Sequence, residues 1–163
     1  MMVQSKFVDR VVASGVNEKF EIRSKASIIL ETGSYCEIKE IENKSTLKII
    51  LKPRSKAKIV SIGCSSVKEF YIGRDASIEI KDINSSSKIK CILSGGGAEC
   101  KINSIFLSSG MINQDYQIFH NAPHTKCDIT VKGVLTGNGK AISLGLIHIS
   151  KSAEGSSGYQ KAE

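Results

Sequence analysis

Apolar and polar side chains alternate through STLKIIL (45–51), AKIVSI (57–62), ASIEIKDI (76–83), SKIKCIL (87–93) and CDITVKGVL (127–135), and β-branched residues are common in these runs. A period of two sends successive side chains to opposite faces of a strand, so the pattern calls for β-structure with one face turned inward. Between the runs lie PRSK, GCSS, GRD, NSSS, SGGG and TGNG. Such residues tolerate positive φ or bond locally to the backbone, which favours turns. No segment offers a convincing amphipathic helix.

A longer period overlies the short one. A small residue recurs just after a turn cluster, at Ala57, Ala76, Ala98 and Ala141, with spacings of 19, 22 and 43 residues, the last close to two intervals. Each interval holds a second strand about ten residues on, as at 66–72 between Ala57 and Ala76. A helix-free unit of strand, turn, strand, turn points to a β-solenoid, whose coils stack and pair their strands in parallel along the axis. A leucine-rich repeat would need a regular L-x-x-L-x-L register that is absent. A sandwich of short antiparallel strands is the alternative the turn spacing leaves open. A small residue beside each corner favours the coil, because it lets the chain turn without crowding the lumen.

The chain of 163 residues fits one domain. MMVQSKFVDRVVASG lacks the apolar stretch of a signal peptide, and nowhere do about eighteen apolar residues run together, so a cytoplasmic protein without membrane spans is expected. The net charge of +7 would suit nucleic acid. Aromatics are few, however, and the lysines alternate with apolar residues, as on the solvated face of a sheet, so no nucleic-acid partner is expected.

The five cysteines are odd in number and without a C-x-x-C pair, which marks them as small buried hydrophobes of a reducing compartment. Parity places Cys36, Cys91, Cys100 and Cys127 inward beside Ile38, Ile89, Ile102 and Ile129. Cys64, in the turn-like IGCSS, is expected to reach solvent.

HNAPH sets His120 and His124 at the i, i+4 spacing of helical zinc proteases, but Pro123 disfavours a helix and the pair lacks the required glutamate. A turn follows, with both histidines facing water or bonded to backbone, and Cys127 pointing into the core. The three are therefore not expected to converge as a metal triad. SGGGA (94–98) and GVLTGNGKA (133–141) do not fit a phosphate loop and read as turns. The scattered acidic residues form no arrangement suited to polysaccharide cleavage.

From about Gly95 onward the sequence resembles the core of the SufB and SufD family of iron–sulfur cluster assembly. The resemblance rests on SGGGAECKINSIFLSSGMINQDYQIFH, then H-x-A-P-H-T-K-C running into VKGVL, then GKAISLGLIHIS, then AEGSSGYQKAE. The family pattern of a histidine, a threonine and usually a serine falls on His120, Thr125 and Cys127. Its K-G-V strand falls on Lys132-Gly133-Val134, its apolar-x-G strand on Leu144-Gly145-Leu146-Ile147, and its Ala and Gln on Ala153 and Gln160.

The resemblance implies an all-β chain folded as a single-stranded right-handed parallel β-helix of about 20–22 residues per coil, with residues 1–20 as a variable cap. It also implies a non-enzymatic scaffold subunit that pairs through its β-helix with itself or with a longer SufB-like chain, driven by a SufC-like ATPase. Family members continue beyond GYQKAE into further strands and then a helical domain that docks the ATPase, and their cluster-handling cysteine, glutamate and histidine lie in that later part. No stably bound cofactor is expected, and an iron–sulfur cluster would be handled only in passing. Cys127 and His120 are the candidate ligands for such a cluster in this chain. The competing reading is an interaction solenoid with no cluster role.

Overall fold

The computed structural model describes residues 8–12, 15 and 17–163, and every regular element among them is a strand. They are β1 (Val8–Val12), β2 (Asn17–Ile22), β3 (Ala26–Leu30), β4 (Tyr35–Ile41), β5 (Thr46–Leu51), β6 (Lys56–Ile62), β7 (Val67–Ile72), β8 (Ser77–Ile83), β9 (Lys88–Leu93), β10 (Glu99–Ser108), β11 (Met111–His120), β12 (Lys126–Leu135), β13 (Lys140–Ile149) and β14 (Ser157–Ala162). No helix among the described residues is long and apolar enough to cross a membrane.

The strands form two seven-stranded sheets, one of the odd-numbered and one of the even-numbered strands, each in sequence order. Every pairing is parallel, which excludes the antiparallel sandwich and makes the chain a β-helix. Residues 1–7, part of the expected cap, lie outside the described residues. β1 and β2 already pair in register with β3 and β4.

The expected coil length holds in the middle of the chain. Tyr35 stacks on Lys56 and Lys56 on Ser77, 21 residues apart each time, and Ser77 on Glu99, 22 apart. It fails beyond, where Glu99 stacks on Lys126 and Lys126 on Ser157, spacings of 27 and 31. The coil widens because β10 to β13 are 10 residues long where β4 to β9 have 6 or 7, and the last step adds longer turns at 136–139 and 150–156.

Inward residues stack like on like. Ile38, Ile59, Ile80, Ile102 and Ile129 form one column in the even sheet, and Ile28, Ile49, Phe70, Cys91 and Ile118 form one in the odd sheet, all buried. Each such isoleucine contributes about 1.5–3 kcal/mol on burial. On the outer face of the even sheet, Lys19, Glu37, Lys58, Glu79, Lys101 and Asp128 make a ladder of alternating charge. Each of the four inner charges therefore has opposite neighbours above and below, which favours this register over a slipped one. The lysines read from sequence as a solvated face are half of this ladder.

The corners correct one sequence expectation. Gly33, Arg54, Asp75, Gly97, His124 and Gly155 occupy equivalent corner positions with φ of 75°, 60°, 52°, 72°, 57° and 69°. Each is followed by a small residue, Ser34, Ser55, Ala76, Ala98, Thr125 or Ser156. Backbone bonds carry the ladder through the bend, as from Arg54 N to Arg74 O at 2.8 Å and from His124 N to Glu154 O at 2.9 Å. Ala76 and Ala98 are thus equivalent, but Ala57 lies one pleat-position later, stacked on Ile78, and Ala141 lies in the other sheet against Ile112. The repeating signature is a left-handed residue followed by a small one, and the alanine count caught only part of it.

Candidate functional site: the histidine corner, the polar lumen and the β13 edge

β11 ends at His120, which parity turns inward, and the corner of residues 121–125 returns the chain to β12. His120 is fully buried, which corrects the expectation of a solvent-facing or backbone-bonded ring. Its Nδ1 lies 2.7 Å from Thr125 Oγ1, which in turn lies 2.8 Å from Ser156 Oγ. Both hydroxyls can donate to Ala122 O, at 3.2 Å and 3.1 Å. Only one proton per hydroxyl is available for these contacts. An Nδ1–H that donates to Thr125 frees both hydroxyls to donate onward, so this tautomer makes one more bond than the alternative.

That leaves Nε2 as a bare acceptor. It is buried without a partner beside Gly158, where a β-carbon would stand 3.3 Å away. Burial lowers the His120 pKa, so the ring is neutral at physiological pH. His124 is exposed, and its left-handed φ shows that it sits in the pattern as a corner residue. Cys127 points inward, stacked between Cys100 and Gly158. The Cys100 thiol beside it, then burial, push the Cys127 pKa well up. His120 and Cys127 share the same coil, and no group of three or more histidine, cysteine or carboxylate side chains placed to hold a metal occurs among the described residues.

All five cysteines are free and buried. For Cys64 this corrects the expectation of exposure: the turn between β6 and β7 tucks it inward, with Sγ 3.5 Å from Ile62 O, and burial pushes its pKa up to about 11. Burial likewise raises Cys36 to about 12.

A second feature escaped the sequence reading. Glu40, Ser61, Asp82 and Ser104 form one inward column at the far end of the even strands, with the backbone positions of the two acidic residues two coils apart, roughly 9.5 Å along the axis. Lys68 on β7 faces them, fully buried, with Nζ 3.0 Å from Asp82 Oδ1, 3.4 Å from Glu40 Oε2 and 2.6 Å from Ser87 Oγ. Glu40 also accepts from Ser61 Oγ at 2.7 Å and Asn43 Nδ2 at 2.8 Å. The belt continues to Gln114, whose Nε2 donates to Ser104 Oγ at 2.5 Å and Ser85 O at 3.1 Å. The lumen is therefore apolar toward the histidine corner and ionic at the opposite corner. Parity carried the signal, since Lys68 shares its side of VKEFYI with Phe70 and Ile72.

β13 is the edge of the odd sheet and is exposed along most of its length. Ile142, Leu144 and Leu146 project from its outer face at 46%, 58% and 51% exposure, next to exposed Met111, Val134 and Leu135. A run of exposed aliphatic side chains on an edge strand marks an interaction surface.

Comparison with known proteins agrees with this architecture. The family model described as the SUF system FeS cluster assembly SufBD core domain matches residues 19–163, so it reaches well N-terminal of the Gly95 boundary of the sequence resemblance. Comparisons with curated proteins and with solved structures returned no match. An in-register parallel β-helix, matched over nearly its whole length, makes this chain a member of the SufBD core domain family of SUF iron–sulfur cluster assembly.

Proposed function

We propose that the chain is a non-enzymatic scaffold subunit of iron–sulfur cluster assembly that works in pairs, its β13 edge and outer aliphatic face meeting those of a second copy or of a longer SufB-like chain. The observation that carries this reading is the exposed, aliphatic edge strand β13. An edge strand offers unpaired backbone groups that a second edge can take up, and Ile142, Leu144 and Leu146 add apolar area to the contact. The setting is the cytoplasm, a reducing compartment, in keeping with five free thiols. The cluster is cargo, handled transiently, and energy comes from a SufC-like ATPase.

The test is light scattering at high micromolar concentration, paired with affinity purification from a host carrying the assembly ATPase. A dimer that dissociates in Leu144→Lys/Leu146→Lys, together with recovery of the ATPase or a SufB-like chain, is expected. A monomer at every concentration that recovers neither partner would overturn the reading.

A further inference from the structure

Three thiols meet in the apolar part of the lumen. Cys91 on β9 and Cys100 on β10 face each other across one coil with their Sγ atoms 3.3 Å apart. Cys127 stacks directly on Cys100 in the next coil. The other two cysteines stand apart: Ala57 and Ile78 separate Cys36 from Cys100 in the same column, and Cys64 lies in the turn between β6 and β7, 3.5 Å from Ile62 O. A disulfide needs an S–S separation of about 2.05 Å, so an approach of little more than about 1 Å closes Cys91 onto Cys100.

The stack lies one strand from the edge of the even sheet. Cys127 is covered in its column by Gly158, which offers no side chain and is flanked by Ile147 and His120, and Gly158 belongs to β14, the edge strand of the even sheet. β14 is paired on one side only and its side chains are largely exposed, so it opens more readily than the inner coils.

We propose that Cys91, Cys100 and Cys127 form an oxidisable thiol site for hydroperoxides, with Cys127 as the entry thiol and Cys100 as the shared partner. When β14 opens, the Cys127 sulfur attacks a peroxide oxygen. The S–O bond forms, the O–O bond breaks and the alcohol or water leaves, giving Cys127 sulfenic acid. The Cys100 sulfur displaces the sulfenic oxygen as water to form a Cys100–Cys127 disulfide. Cys91 then attacks Cys100, the new S–S bond forms, and Cys127 departs as the thiol with the proton from Cys91. In sum, two thiols lose two electrons and two protons, and the peroxide is reduced to an alcohol, or to water, plus one water. The neighbouring thiol and burial hold Cys127 protonated at neutral pH, so reaction is slow and waits on opening.

Trypsin reads the outcome directly. Cleavage after Lys90 and Lys101 leaves Cys91 and Cys100 in one peptide, and Cys127 in another that starts after Lys126. After hydrogen peroxide on the folded chain, then alkylation under denaturing conditions, two of the five thiols should escape alkylation, and the 91–101 peptide should be lighter by two hydrogens. Cys91→Ala should stop at a cross-link between the 91–101 and 127–132 peptides. Cys127→Ala should oxidise the 91/100 pair several-fold more slowly, and Cys100→Ala should form no disulfide. Circular dichroism confirms the fold of each variant, and the first two carry the test if Cys100→Ala does not fold.

The proposal is overturned if all five thiols stay alkylatable under conditions that oxidise the unfolded chain, or if Cys36 or Cys64 enters the bridge. Equal rates in Cys127→Ala and the parent chain would overturn the entry role.

Discussion

Lys68→Met removes the cation from the ionic corner of the lumen while keeping most of the side-chain volume. The two carboxylates it leaves are not equivalent. Glu40 retains Ser61 and Asn43 as donors, whereas Asp82 loses Lys68 and already has Oδ2 unpartnered. Removing one member of a buried ion pair costs about 3–5 kcal/mol, because the other charge stays desolvated. In a chain of this size that lowers the melting temperature by roughly 6–20 °C, at about 2–4 °C per kcal/mol. Thermal and urea unfolding followed by circular dichroism measure the loss. The inequality predicts the rescue: Asp82→Asn in the Lys68→Met background should recover most of it, and Glu40→Gln little. A cost below about 1 kcal/mol, or rescue by Glu40→Gln in place of Asp82→Asn, would refute this account of a dry ion pair centred on Asp82.

Three further outcomes are expected. Gly95→Ala drives a methyl group into the backbone of Gly73 and Arg74, so it should cost about 2–3 kcal/mol or more. Gly137→Ala meets open space and should cost only about 1–2 kcal/mol for its left-handed φ, and urea titration of the two separates them. The His120 pKa is lowered in the fold, so its contribution is fully present above the unfolded value near 6.5 and is lost as pH falls through the folded value. Stability of the parent chain between pH 7.5 and 5 should therefore fall more steeply than that of His120→Asn; parallel curves would remove His120 as the cause. Glu37→Lys stacks three lysines at Lys19, residue 37 and Lys58, so it should lower stability at low salt and recover as sodium chloride screens the ladder, read by melting temperature against salt.

The sequence by itself determined the class of fold. Alternation at period two, turns every ten residues and a recurrence near 21 leave few architectures, and the inward parity of Cys36, Cys91, Cys100 and Cys127 followed from neighbours two residues away. These are local properties, carried by adjacent side chains. What joins residues from different coils was decided only by the tertiary structure. His120 read as a polar turn residue because its hydroxyl partner Thr125, and behind it Ser156, reach it through a corner and a ladder spacing of 31 residues. Arg54, Asp75 and His124 hid the corner repeat, since nothing local marks them as left-handed; the ladder bonds on both sides hold them there. The ionic corner and the thiol stack arise in the same way, from side chains placed a coil apart by the ladder or brought face to face across the lumen. Parity tells which way a side chain points, but the coil register decides what it meets.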